Sequence, residues 1–145
     1  MRILIVEDNG IAAKIATKFF TELGCETEHV LDGRLAVDVV TQLHDHYDGI
    51  YMDIGIPIVT GTEACREIRK YEAEHPEIKL IPILAVTANY SSDDAREYII
   101  AGMQTVFYKP LTLNKAKDFI ELCKQPVDLD DCLKRISELI AFREY

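Results

Sequence analysis

Short, continuous apolar runs alternate along this chain with longer stretches in which apolar residues recur every three or four positions. Ile3 to Val6 is such a run, as a strand buried on both faces requires. Ile11, Ile15, Phe19 and Leu23 follow at intervals of four, widened by Ala12, Ala16 and Phe20. They predict an amphipathic first helix, stopped by Gly24. Thr27 to Val30 predicts a second strand, and Leu35, Ala36, Val39, Val40 and Leu43 stripe a second helix. Gly49 to Met52 reads as the third strand. After it, Pro57 and Gly61 punctuate a loop before a third helix over Thr62 to Glu74, whose apolar side is Ala64, Cys65 and Ile68. Ile81 to Val86 is the fourth strand, with Pro82 near its start, where a missing N–H is tolerated. Ser91-Ser92-Asp93-Asp94 supplies a cap and an acidic first turn for a fourth helix running to Ala101 and stopping at Gly102. Thr105 to Tyr108 is the fifth strand, and Leu113, Ala116, Phe119, Ile120 and Cys123 stripe the fifth helix.

Strand and helix signals that alternate in this way predict βα units on a parallel sheet. Five such units fill residues 1–124, which read as one α/β domain. Gln125-Pro126 breaks the pattern, and residues 125–145 read as a helical extension. Its helix is expected from Asp128 to Phe142, with Leu129, Cys132, Leu133, Ile136, Leu139 and Ile140 on one face. That stripe is expected to pack on the domain or on a second copy, unless Val127-Asp128-Leu129 opens a further module.

Bulk properties narrow the classes. At 145 residues the chain has room for a full core. A net charge of −9 with no Lys/Arg cluster lacks the footprint of a nucleic-acid binder. The apolar runs are too short to cross a bilayer, and Met1-Arg2 runs straight into the first strand without a leader, so a cytoplasmic domain without membrane contact is expected. Cys25, Cys65, Cys123 and Cys132 lie far apart with no C-x-x-C pair and read as buried thiols. His29, His44, His46 and His75 form no ligand set, and His44 and His46, around Asp45, read as solvated loop residues.

The chemistry collects where the apolar runs end. Glu7-Asp8 follows the first strand, Asp53 the third, Thr87 the fourth and Lys109-Pro110 the fifth. In a parallel sheet all of these project from one carboxyl edge, where open α/β sheets bind ligands. Taken singly, each has a plainer role: Glu7-Asp8 as acids at a helix start, Asp53 as a polar strand end, Thr87 as a β-branched strand residue, Lys109 as surface charge. Together they make three carboxylates that repel one another unless a cation resolves the crowding. Mg²⁺ accepts such oxygen ligands and keeps room for phosphate oxygens. Lys109 adds positive charge and Thr87 a hydroxyl, which is what phosphoryl transfer needs from a protein.

The set Val6-Glu7-Asp8-Asn9, Met52-Asp53 with Pro57 and Gly61 downstream, Val86-Thr87-Ala88 and Lys109-Pro110 resembles the receiver domain of two-component response regulators. Leu23-Gly24, Asp32-Gly33 and Ala101-Gly102-Met103 are similar to receivers within hybrid sensor histidine kinases. The resemblance implies a flavodoxin-like, doubly wound sheet of five parallel strands in the order 2-1-3-4-5, with five helices. It implies that Asp53 is the phosphoacceptor, charged from the phosphohistidine of a histidine kinase or histidine phosphotransfer domain. Glu7, Asp8 and Asp53, with the backbone carbonyl of Gly55, would hold Mg²⁺. Thr87 and the adjoining Ala88 would bind the phosphoryl group and switch, Lys109 would pair with it, and the Lys109–Pro110 bond would be cis. The domain would catalyse only its own phosphorylation, with kinase activity residing in any parent hybrid kinase. Self-association would use the fourth and fifth helices or the terminal helix.

Two departures stand out. Receivers commonly carry an aromatic ring three positions before the lysine; here that position is Val106, with Phe107 and Tyr108 nearer the lysine. Gly55 and Asn89 occupy positions whose side chains tune acyl-phosphate hydrolysis, and Gly55 has none to offer. Two other functions compete with phosphoacceptance. A degenerate receiver could serve as an interaction module without phosphorylation. An aspartyl-nucleophile phosphohydrolase typically has Asp-x-Asp after its first strand, in place of Glu7-Asp8-Asn9. A nucleotide or flavin binder would need a Gly-rich loop there, and none is present.

Overall fold

In the computed structural model, residues 1–88 and 91–136 are described. The strands are β1 (Arg2–Val6), β2 (Glu26–Val30), β3 (Gly49–Asp53), β4 (Ile83–Thr87) and β5 (Val106–Tyr108). The helices are α1 (Gly10–Glu22), α2 (Gly33–Gln42), α3 (Gly61–Glu74), α4 (Ser92–Ala101), α5 (Leu113–Cys123) and α6 (Leu129–Lys134), with a 3-10 turn at His44–His46. The strands form one sheet in the order β2-β1-β3-β4-β5, every neighbouring pair parallel. This is the flavodoxin-like winding, with its switch point between β1 and β3.

Alternating side chains of the strands feed two cores. Leu4, Val6, Ile50, Met52, Ile83 and Ala85 face α2, α3 and α4, whereas Ile3, Ile5, Tyr51, Leu84, Val86 and Phe107 face α1 and α5. Each of these helices starts on a short polar cap: Asn9, Asp32, Thr60, Ser91, Thr112 and Asp128 each accept a bond from the amide three residues on. These caps satisfy donors that helix geometry leaves unpaired. β4 starts two residues later than the apolar run, because Pro82 has no amide to offer and the Ile83 amide is taken by the Gln104 side chain at 2.6 Å.

Two helices bury only part of the expected stripe. On α1 the buried residues are Ala13, Ala16 and Phe20, while Ile11 is 74% exposed and Ile15 43%. A series spaced by four overshoots the helical turn by about 40° per step, so Phe19 and Leu23 pack against the core while Ile11 and Ile15 lie off it. Alanines let the helix approach the sheet closely, and Phe20 fills the space behind them. On α2, Gly33, Ala36, Val37 and Val40 are buried, and Leu35 and Leu43 are exposed. α3 buries Ala64, Cys65 and Ile68 as expected, together with Glu72.

Glu72 explains a second correction. His44 is only 8% exposed, because its Nε2 sits 2.8 Å from Glu72 Oε2 instead of in solvent. The same oxygen accepts the Ile81 amide at 2.8 Å, and Arg69 meets Oε1 at 2.6 Å. Arg69 Nε also donates to the Gly102 carbonyl at 3.0 Å, tying the end of α4 into the network. A buried carboxylate is tolerable when fully paired in this way.

All four cysteines are free thiols; Cys25, Cys65 and Cys123 are buried. In the extension, Cys132 and Ile136 pack against the α2–α3–α4 core while Leu133 is exposed, so the expected apolar stripe is buried only in part. Leu139, Ile140 and Phe142, like Asn89, lie outside the described residues. Among the described residues no helix is long and apolar enough to cross a membrane.

Glu72→Ala strands the Arg69 and His44 donors in the interior and should cost about 3–5 kcal/mol of stability. Ile11→Ala, at an exposed position, should change it by no more than about 0.5 kcal/mol. Urea denaturation of both variants measures the contrast. Similar losses in the two would mean that the buried face of α1 or the network is misassigned.

Candidate functional site

The carboxyl edge of the sheet gathers the strand-end residues into one place. Glu7 is fully buried, Asp53 nearly so, and Asp8 is exposed. One carboxylate oxygen from each of the three lies within 4.8 Å of the others. Lys109 reaches in from the far end of the sheet, its Nζ 2.7 Å from Glu7 Oε1 and 3.4 Å from Asp53 Oδ2. Backbone amides complete the frame: Asn9 N donates to Glu7 Oε2 and Gly55 N to Asp53 Oδ1, both at 3.3 Å. From β2, His29 Nε2 donates to the Glu7 carbonyl oxygen at 2.6 Å.

Burial pushes the Glu7 carboxyl up to about 7, its bond to Asp53 adds to the rise, and Lys109 opposes it. Burial works against the Lys109 ammonium, but its bond to Glu7 and the charge of Asp53 outweigh that and raise its pKa. Three carboxylates face one lysine. The donor set is all oxygen and carries excess negative charge, which suits a hard divalent cation such as Mg²⁺.

The loop between β3 and α3 is held close over Asp53. A Cβ at Gly61 would come within 2.7 Å of the Asp53 carbonyl, and one at Gly33 would collide with the Val59 carbonyl. Only glycine permits either approach. Ile58, at the loop's tip, has φ 69° and is 79% exposed. The Lys109–Pro110 peptide is cis.

Thr87 closes the site from β4. Tyr98 of α4 hydrogen-bonds to its side chain, and burial is the main reason the Tyr98 hydroxyl is harder to ionise. Val106 is buried in the core behind it. The residue that joins Thr87 to a helix is thus Tyr98, which the sequence reading overlooked. Its signal was present: Ala95, Tyr98 and Ile99 share a helical face, and the one hydroxyl on that face had to find a partner. Ala88 is exposed at the rim.

Fold and site together define an open parallel α/β domain with a lysine-bridged acidic cluster at its carboxyl edge. Residues 3–121 match the family described as "Response regulator receiver domain", and the chain belongs to that family. It is 33% identical over 121 residues, 83% of its length, to hybrid signal transduction histidine kinase L of Dictyostelium discoideum, and spans 7% of that protein. Among solved structures it resembles the receiver domain of the sensor histidine kinase PA1611 of Pseudomonas aeruginosa, which has a magnesium ion coordinated in its active-site cleft. That match has 30% identity and a TM-score of 0.74, covering 86% of this chain and 98% of the other. It also resembles the Saccharomyces cerevisiae Ssk1 receiver domain, co-crystallised with the histidine phosphotransfer protein Ypd1. Here identity is 26% and the TM-score 0.79, over 90% and 93% of the chains.

The Glu7 shift gives a pH dependence whose sign is fixed. With a folded value of about 7 against 4.5 for the free group, the folded chain binds a proton more tightly than the unfolded one. Stability without divalent cation therefore falls as pH rises through that window. Thermal melts in a chelator should show Glu7→Gln gaining on the parent between pH 4.5 and 7. A difference that stays constant across the window would contradict the assignment.

Proposed function

We propose that this chain accepts a phosphoryl group on Asp53 from the phosphohistidine of a histidine kinase or histidine phosphotransfer domain. The observation that carries this is Lys109 bridging a buried Glu7 and Asp53 within a cluster of excess carboxylates. Residues 1–124 form the phosphoacceptor unit in this scheme, and residues 125–145 extend it. Glu7, Asp8 and Asp53, with the Gly55 carbonyl, would hold Mg²⁺, which supplies charge neutralisation when bound.

The residues' own part is positioning. An Asp53 carboxylate oxygen attacks phosphorus in line as the P–N bond breaks, and the imidazole leaves with the bonding electron pair. Lys109, already beside Asp53, turns to the new phosphoryl oxygens. Thr87 donates its hydroxyl to one of them and must release Tyr98 to do so. The added charge of about −1.5 to −2 thereby reaches α4 through one hydrogen bond. Ile11 and Ile15 of α1 and Ile58 of the loop between β3 and α3, all exposed, give a partner domain apolar footing. The solved relative in complex with a phosphotransfer protein supports such docking.

Asp53→Asn should abolish labelling by a small phosphodonor with Mg²⁺, read by intact mass, while the melting temperature stays near that of the parent. Labelling that persists would move the acceptor elsewhere. Ile11→Glu should leave small-donor labelling unchanged and slow transfer from a phosphorylated histidine phosphotransfer domain by roughly tenfold or more, as loss of an apolar contact of about 1.4 kcal/mol or more implies. Equal transfer rates from that domain to variant and parent would remove α1 from the docking surface.

A further inference from the structure

Lys115 stands where local physics disfavours it. It lies in the first turn of α5, the positive end of the helix dipole, where a cation is unfavourable. It is also only 9% exposed, and a buried ammonium is costly unless its donors are met. They are met by main chain: Nζ donates to the Tyr108 carbonyl at 2.7 Å and the Pro110 carbonyl at 3.2 Å. Those carbonyls stand on either side of Lys109.

The topology explains why the carbonyls need a donor. β5 is an edge strand whose ladder with β4 runs from Val106 to Tyr108 and is continued at its ends by the Thr105 carbonyl and the Lys109 amide. In a parallel ladder the alternate peptide groups face the other way, so the Tyr108 carbonyl looks outward, where no strand follows. Pro110 brings no amide of its own to the turn. Lys115 thus adds an anchor on the outer side of the segment, whose inner side is tied to the sheet by the Lys109 amide, 2.9 Å from the Thr87 carbonyl. Lys109 must place its ammonium from the end of a flexible four-carbon stem. Its aim depends on where its backbone is rooted.

We propose that Lys115 is a positioning residue for phosphoryl acceptance: it clamps the carbonyls flanking Lys109 and so sets where the Lys109 ammonium meets the phosphoryl group. The role rests on the phosphoacceptor function proposed above. It assigns to Lys115 no contact with the phosphoryl group or the metal.

The test uses the full chain, Mg²⁺, and beryllofluoride as a phosphoryl mimic, with labelling by a small phosphodonor in parallel. Lys115→Met should keep Mg²⁺ affinity within about twofold while weakening beryllofluoride binding and slowing labelling by about tenfold or more, as sub-ångström misplacement of a reacting group does. Lys115→Arg, which retains the donors, should recover most of the loss. In a Lys109→Ala background, Lys115→Met should weaken beryllofluoride binding no further, because there is no ammonium left to aim. Lys115→Gln keeps a donor too short to span both carbonyls and should reproduce the defect if the methionine variant does not fold. Parent-like binding and labelling in Lys115→Met or Lys115→Gln, or an equal loss with and without Lys109, would overturn the proposal. A parent that neither binds beryllofluoride nor is labelled would instead overturn the phosphoacceptor function.

Discussion

Carboxylates buried within a few ångströms of one another repel strongly, and only a positive charge or a shared proton makes the arrangement tenable. Glu7 and Asp53 are in that position, and Lys109 is the covalently attached part of the answer. The rest of the domain can be understood as the frame that keeps them there. β1 and β3 are neighbours, so Glu7 and Asp53 emerge side by side. β5 lies two strands beyond β3, and a lysine is long enough to cross the gap. The glycine-dependent loop packs its backbone closely against the Asp53 end of β3.

The opposite edge of the sheet uses similar ingredients to different effect. There Glu72 is surrounded by Arg69, His44 and the Ile81 amide, with every contact between 2.6 and 2.8 Å. One carboxylate faces a guanidinium, an imidazole and an amide, so its charge is matched inside the fold. At the carboxyl edge three carboxylates face one ammonium. The first arrangement fastens α3, the 3-10 turn and the end of α4. The second retains excess negative charge, which a proton on Glu7 or an incoming cation reduces.

Much of this could be read from the residues, and the parts that could not share a cause. Strand ends were legible because the chain itself delivers Asp8, Asp53, Thr87 and Lys109 to the sheet edge, one residue after each apolar run or two. Helix faces were less so: Ile11 and Leu35 are as apolar as any core residue, and spacing by four does not say which side of the helix meets the sheet. The polar partnerships were hidden altogether. His44 and Glu72 are 28 residues apart, and nothing in a stretch of His, Asp and His announces that one ring turns inward. Tyr98 and Lys115 look like ordinary helical residues until the neighbouring strand end is in place. Tertiary context decided all of these, while local pattern decided the strands.

The Lys109–Glu7 pair joins residues 102 positions apart, with one partner leaving the first strand and the other leaving the last. No contiguous fragment short of β1 to β5 contains both, and no sheet that lacks either of those strands brings them together. Half a sheet would carry Glu7, Asp8 and Asp53 as three mutually repelling acids with nothing to hold them. The lysine-bridged cluster is therefore complete only when the first and the last strand of the chain stand in one sheet.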